Sequence, residues 1–437
     1  MNKSLLILGA FLLIIRLTHG QDTLAITKTE FIEMVSLNNY EGKKADKQAE
    51  MAYADYQQSR ALYLPIISAS YTATTTTNPL MAFGSKLNQA IVSQEDFNPA
   101  ILNDPGNVGN YATEISVLQP LLNLDGVYQR NAAKIQKEAY KLKALRTKEY
   151  LTLEASKLYM QLQLGYQALN VLERAQRTAS EAFEMVTDYY DEGLVQKADV
   201  LDAQVHQNEV QNQLQYAISN VQNTSDLLLT MMGEEPTSTT LKPEIDLYLM
   251  DDAVQYSESL PENRKDLLAM SMSVEGSESM LRSTKMQLLP RINAFGSFQV
   301  YDQKLLGFGA SGYLLGAQLS WNIFDGYTTL AKKNKARLEM EKAQIEQKDY
   351  FNQQQSELSK TNRMLRDAKN KVRLSQLTFE QASEAYKIRK DRFEQGLEKT
   401  VDLLAAESQM YQKELQLQQA IFEHNFSQDY MRFLTNE

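Results

Sequence analysis

The sequence predicts a mixed α and β chain, mainly α, that is built twice over. Three observations carry this. Two very long windows hold no proline, and in each half of the chain a pair of stretches in which apolar and polar residues alternate comes before the long helical run. A helix, glycine, helix pattern also occurs at "DYYDEGLVQKADVLDAQ" (188–204) and again at "DRFEQGLEKTVDLLAAE" (391–407).

The chain opens with Met1, Lys3, an apolar run from Leu5 to Ile15, then Arg16 and a small-residue end at Gly20-Gln21. This is the layout of a secretory signal peptide, and the run is short of the ~20 residues that a spanning helix needs. Residues 1–20 are therefore expected to be removed on export. Lys3 and Arg16 leave with them and no acid does, so the formal charge moves from −10 to −12. An acidic chain is a poor partner for nucleic acid.

Cysteine is absent, which excludes a disulfide framework, a thiolate metal site, a cysteine nucleophile and a lipidated N-terminal cysteine. His19 lies in the leader, and His206 and His424 are expected on helix surfaces, which leaves no material for a histidine-centred active site. No Gly-rich Lys-Ser/Thr loop is present to hold a nucleotide. The seventeen methionines, Met270 and Met272 among them, read as fillers of helical cores. The chain is read as no enzyme, with neither cofactor nor metal.

The first strand pair is "LPIISASYTATTTT" (64–77) and "YATEISVLQPLLNLDG" (111–126), and the second is "LPRINAFGSFQVYDQ" (289–303) and "YLLGAQLSWNIFDG" (313–326). Each run is about ten residues, the length of a tilted transmembrane β-strand. Tyr71, Tyr111, Tyr301 and Tyr313 are candidates for an aromatic girdle at a membrane surface. The first pair carries an insertion, 78–111, which a hairpin tip tolerates as a loop at little cost. Four strands cannot close a barrel, so they require either an oligomer or a soluble sheet.

Two windows hold no proline, Leu121 to Glu235 and Arg291 to the C-terminus, and interior proline would have cost a helix there ~3 kcal/mol. Helices are expected over Val127–Tyr190 and Tyr327–Gln395, each on the order of 100 Å long. Leu374, Leu377, Ala385 and Ile388 form one stripe on the second, and Phe379, Ala382 and Tyr386 an adjacent one, as in a coiled coil. Gly193 and Gly396 stand where a helix end takes a left-handed residue, before shorter helices to about Met231 and Leu434. The organisation is thus a leader (1–20), a first repeat (21–229) of helix, hairpin, long helix, turn and helix, a linker (230–262), and a second repeat (263–437).

The duplicated Leu-Pro before a strand, the Asp-Gly opening each long helix, the turns "GLVQKADVLDAQ" and "GLEKTVDLLAAE", and the insertion with "AFGSKLNQ" and "DFNPAILNDP" together resemble the TolC-like outer-membrane efflux protein family. The likeness spans about residue 22 to residue 435. It implies a homotrimer in which four strands per chain make one twelve-stranded outer-membrane β-barrel and the helices make a periplasmic α-barrel. It also implies a periplasmic adaptor docked at the turns, where Gly193, Leu194, Lys197, Gly396, Leu397 and Lys399 match the docking tip, and an inner-membrane transporter beyond it.

In that family, aspartates after the second turn narrow the pore. Asp402 matches the first of them, the next is Ala405 here, and the double pattern appears in the first half as Asp199 and Asp202. The tightest ring falls to Asp402, to Asp199 or to both. Such carboxylates would attract cations, although an aspartate in a first helical turn also favours the helix dipole. The function implied is a passive duct for small toxic compounds. The alternatives are a duct for type I protein secretion and a soluble periplasmic coiled-coil scaffold whose strands present polar outward faces.

Overall fold

The computed structural model describes residues 23–237, 239–251 and 257–435, so the expected signal peptide lies outside the described residues. In order the chain forms β1 (Thr23–Ile26), α1 (Lys28–Asn38), α2 (Tyr40–Gln58), β2 (Ile66–Thr76), α3 (Pro79–Asn88), α4 (Pro99–Asn103), β3 (Val108–Leu122), α5 (Leu124–Asp191) and α6 (Lys197–Met231). It continues through β4 (Thr240–Pro243), α7 (Lys265–Met286), β5 (Arg291–Asp302), β6 (Ala310–Ser320), α8 (Thr328–Glu394) and α9 (Thr400–Thr435). The two long helices run 68 and 67 residues.

The chain divides into two compact units that cut across the repeats. One comprises the chain up to Lys44, Thr147–Pro261 and the chain from Gln354 on; the other comprises Ala45–Arg146 and Glu262–Gln353. The first unit packs helices around Phe31, Tyr159, Leu162 and Leu228, and a small parallel sheet of β1 and β4 closes this core with Leu241. Buried hydroxyls fasten the sheet. Tyr159 donates to Ile26 O (3.0 Å), Tyr166 donates to Leu241 O (3.1 Å), and Ser225 accepts from Leu241 N–H (2.8 Å).

The second unit carries one antiparallel sheet in the order β2-β3-β5-β6, so the two hairpins join through β3 and β5. Pro120 has no N–H to give, and the register shifts between Pro120 and Leu122, a bulge that absorbs it. On the helical side of this unit, Asp266 gathers Arg264 (2.5 Å), Tyr350 (2.8 Å) and Arg146 (3.5 Å), binding the start of α7 to α5 and α8.

The insertion expected as a loop over 78–111 contains two helices instead. Asn78 and Asn98 cap them, accepting from Met81 N–H and Ala100 N–H, and Pro79 and Pro99 occupy their first turns, where a missing N–H costs nothing. Phe83 against Phe97 (5.6 Å between centroids) and Lys86 with Asp96 (2.7 Å) hold this module together. The β3 strand also starts three residues earlier than expected, at Val108.

Candidate functional site

Both glycine turns lie in the first unit, and they share one device. The Leu194 N–H donates to Tyr189 O (2.8 Å) and the Gly193 N–H to Tyr190 O (2.9 Å); in the second turn Leu397 donates to Arg392 O and Gly396 to Phe393 O, each at 2.9 Å. This paired reverse bonding needs a left-handed residue after the helix, and Gly193 and Gly396 have φ of +77° and +74°. The turns then pack on one another. Ala182, Val186, Val200, Ala203, Phe393, Leu403 and Leu404 form a single buried cluster, and Tyr189 stacks on Phe393 at 5.6 Å. Truncating a buried ring such as Phe393 to alanine costs ~3–5 kcal/mol.

The residues matched to a docking tip lie at its surface. Leu194 is 66% and Leu397 64% exposed, the most costly surface here to leave in water. Lys197 is exposed and lies over the Tyr190 ring, 5.3 Å from its centroid. Lys399 is exposed, and its carbonyl accepts from Asp402 and Leu403 N–H.

Asp199, Asp402 and Asp202 differ in what they do locally. The Asp199 carboxylate accepts from Gln196 N–H at 2.9 Å and closes a capping box at the start of α6. Asp402 occupies the matching place in the first turn of α9, half-buried, and among the described residues its carboxylate has no hydrogen-bond partner within the chain. Asp202 stands one turn further along α6, exposed.

The histidines expected on the surface are both buried, His206 at 8% and His424 at 3% exposure. The face that covers His206 arrives from distant sequence. His206 on α6 places Nε2 3.5 Å from Glu407 on α9, a carboxylate with no exposure and no hydrogen bond to either oxygen. Ser408 Oγ lies 3.4 Å from His206 Nδ1, and Tyr411 and Thr178 share a hydrogen bond of 2.9 Å, so α5, α6 and α9 meet in one polar layer. Burial, and then the nearby Glu407, push the Tyr386 hydroxyl on α8 well above its ordinary value.

In the second unit the sheet has two unlike faces. One set of cross-strand rows reads Ala69, Ile115, Phe298, Tyr313 and Ile67, Val117, Gly296, Leu315; the alternating set reads Ser70, Glu114, Gln299, Gly312 and Ser68, Ser116, Ser297, Leu314. The apolar face is bare, with Tyr313 79%, Leu315 74% and Leu319 62% exposed. Tyr71 and Tyr111 stack on this face at 6.4 Å and Tyr313 shares it, whereas Tyr301 stands on the polar face and donates to Gln299. Trp321, bonded to Leu288 O, marks the opposite end. Eight residues separate Tyr313 from Trp321, about 27 Å along a strand and roughly 20 Å across a bilayer at the usual barrel tilt. No helix among the described residues is long and apolar enough to cross a membrane.

A sheet with a bare apolar face, a polar face and two free edges, β2 and β6, belongs to the class of outer-membrane channels. The family profile of the outer membrane efflux proteins matches residues 32–234 and 256–421, and the chain belongs to that family, one of channels rather than of enzymes. Its fold is similar to that of a membrane protein from Pseudomonas aeruginosa (TM-score 0.81, 17% identity, 95% of this chain and 94% of that one). It is similar as well to the outer membrane protein VceC of Vibrio cholerae (0.79, 16%, 94% and 97%) and to the CmeC outer membrane channel of Campylobacter jejuni (0.78, 14%, 96% and 90%). No curated protein matches it in sequence.

Proposed function

We propose that three copies of the chain, each freed of residues 1–20, form a passive exit duct in the outer membrane, with four strands per copy closing one twelve-stranded barrel. The observation that carries this reading is the bare apolar face between free edges. In water such a face loses roughly 25 cal/mol for each Å² left exposed, and in lipid an open edge leaves backbone groups unpaired; closing the barrel with further copies removes both penalties. The helices support the same reading. On α8 the stripe of Leu374, Leu377 and Ile388 is about half exposed, while Ala382 on the adjacent stripe is buried within the chain, so one stripe awaits a neighbouring copy.

The duct receives small toxic compounds from a periplasmic adaptor docked on Leu194, Lys197, Leu397 and Lys399 around the turn glycines, and from an inner-membrane transporter behind it. Asp402, with Asp199 and Asp202, lines the constriction as a ring of negative charge, in which Asp402 and Asp202 have no hydrogen bond among the described residues while Asp199 caps its own helix. Alanine at Asp402 and Asp199 together is expected to reduce cation selectivity in single-channel recordings, and unchanged selectivity would remove the ring. The reading as a whole is tested by envelope fractionation and by the mass of the detergent-solubilised protein with detergent subtracted. A mass of about 140–150 kDa in the outer membrane, a little under three times the 49.8 kDa of the chain with its leader, supports it; a soluble monomer or dimer would return the chain to a periplasmic scaffold.

A further inference from the structure

We propose that the tip of the second hairpin, residues 303–309, is a lipid-embedded wedge that inserts Leu305, Leu306 and Phe308 among the acyl chains of the outer leaflet. This rests on the reading of the sheet as a membrane barrel. The tip's position comes from one bond. Leu306 N–H donates to the Tyr71 hydroxyl at 3.0 Å, and because the Tyr71 ring stands on the apolar face, backbone bonded to that hydroxyl lies on the apolar side of the sheet, beside the Tyr71 and Tyr111 pair.

The side chains at the tip are the wrong ones for water. Leu305, Leu306 and Phe308 are 67%, 68% and 72% exposed. Leu306 also has φ of +58°, a left-handed backbone that glycine or asparagine adopts with far less strain. The tip therefore holds a leucine against its conformational preference at a site where that leucine gains nothing from the protein around it. Hydrocarbon supplies the missing gain, and it is already the solvent of the apolar face with which the tip is continuous.

The rest of the loop fits an interfacial wedge. The Asp302 carboxylate accepts from Lys304 N–H at 2.8 Å and lies so close to Gly307 that a Cβ there would fall 2.2 Å from its Cγ, so the loop is folded tightly and its shape is fixed. Lys304 is exposed next to the apolar trio, as a cation is when it reaches for headgroup phosphate while its neighbours enter the acyl region.

Because Trp321 is the chain's single tryptophan, a Trp321→Phe background is free of indole and one reporter can be placed at will. Phe308→Trp reports on the tip and Leu315→Trp on the apolar face; both replace exposed side chains. Each variant is reconstituted in vesicles of phosphatidylcholine brominated either near the headgroup or deep in the acyl chain. The wedge predicts that Phe308→Trp loses most of its emission to shallow bromines, less to deep ones, and resists aqueous iodide. If Leu315→Trp is quenched by bromines but Phe308→Trp is quenched by iodide alone, or by neither agent because protein covers it, the wedge is overturned and the barrel stands. If neither reporter feels bromine, the membrane reading of the sheet fails and the wedge with it.

Discussion

The two turns at 188–204 and 391–407 close with the same backbone device, a left-handed glycine under paired reverse hydrogen bonds, yet they are held by different chemistry. In the first, Lys197 lies over Tyr190 and Asp199 caps its own helix. In the second, Glu398 stands between Arg389 (3.0 Å) and Arg392 (2.9 Å), and Asp402 is left without a partner among the described residues. The comparison separates what a helical hairpin tip requires from what it tolerates. Only glycine satisfies the backbone cheaply at that place, whereas the fastening of the flanks is open to aromatic, capping or ionic solutions. The ionic solution of the second turn occupies both arginines and leaves its first-turn aspartate without a partner among the described residues.

The largest effect is expected where the two halves are tied. His206→Ala removes the imidazole that faces the buried Glu407 carboxyl and leaves a cavity beside it, which should cost about 3 kcal/mol. Glu407→Leu, which removes the buried carboxylate, should cost less, and thermal melts of the two single variants and the double variant give the coupling; strict additivity would dissolve the pair. Next come the glycines. Gly193→Ala and Gly396→Ala should each lose ~1–2 kcal/mol, and by similar amounts, because no atom lies within 4 Å of either added Cβ and only backbone strain acts. A large inequality in their melting shifts would show that the turns are not equivalent in backbone.

A smaller effect distinguishes the turns by pH. Burial raises the Tyr386 and Tyr411 hydroxyls on the second pair of helices, so the stability they contribute is fully present below the ordinary tyrosine range near 10 and is lost as pH rises through their elevated values. Melts between neutral and strongly alkaline pH should show a decline that Tyr386→Phe reduces. The smallest effect is at the clamp. Glu398→Gln should cost about 0.5–1 kcal/mol at low salt and almost nothing at 1 M, judged by proteolysis of the second turn; Val195, which precedes the first turn's helix at the matching place, has no charge to screen.

Much of the fold was legible because its signals are local. The prolines and glycines alone bounded α5 and α8 to within three residues at each end, and alternation found the four strands of the antiparallel sheet, since periodicities of two and of 3.6 are written along the chain itself; β1 and β4, four residues each, are too short to show a period. The helices of the insertion are harder to read, although Asn78-Pro79 and Asn98-Pro99 are cap and first-turn signals, because they are short, 10 and 5 residues, and lie between two strands where a loop is the cheaper expectation. His206 was misplaced for a different reason. The face that buries it belongs to α9, about two hundred residues away, and a helix of polar composition does not announce which of its polar residues will be covered. The split between Tyr71 and Tyr301 likewise needed the register, since one residue of shift exchanges the faces of a strand.

The free edges of β2 and β6 have a consequence for biogenesis. If further copies close the barrel as proposed, a single chain completes every helix but not its sheet, and the last step of assembly is a collision whose rate grows with concentration. Before that collision the chain presents unpaired strand edges beside a bare apolar surface, the combination most prone to capture by the wrong partner. On that reading, keeping the apolar face and the strand edges apart from other chains matters as much to this sequence as its core packing.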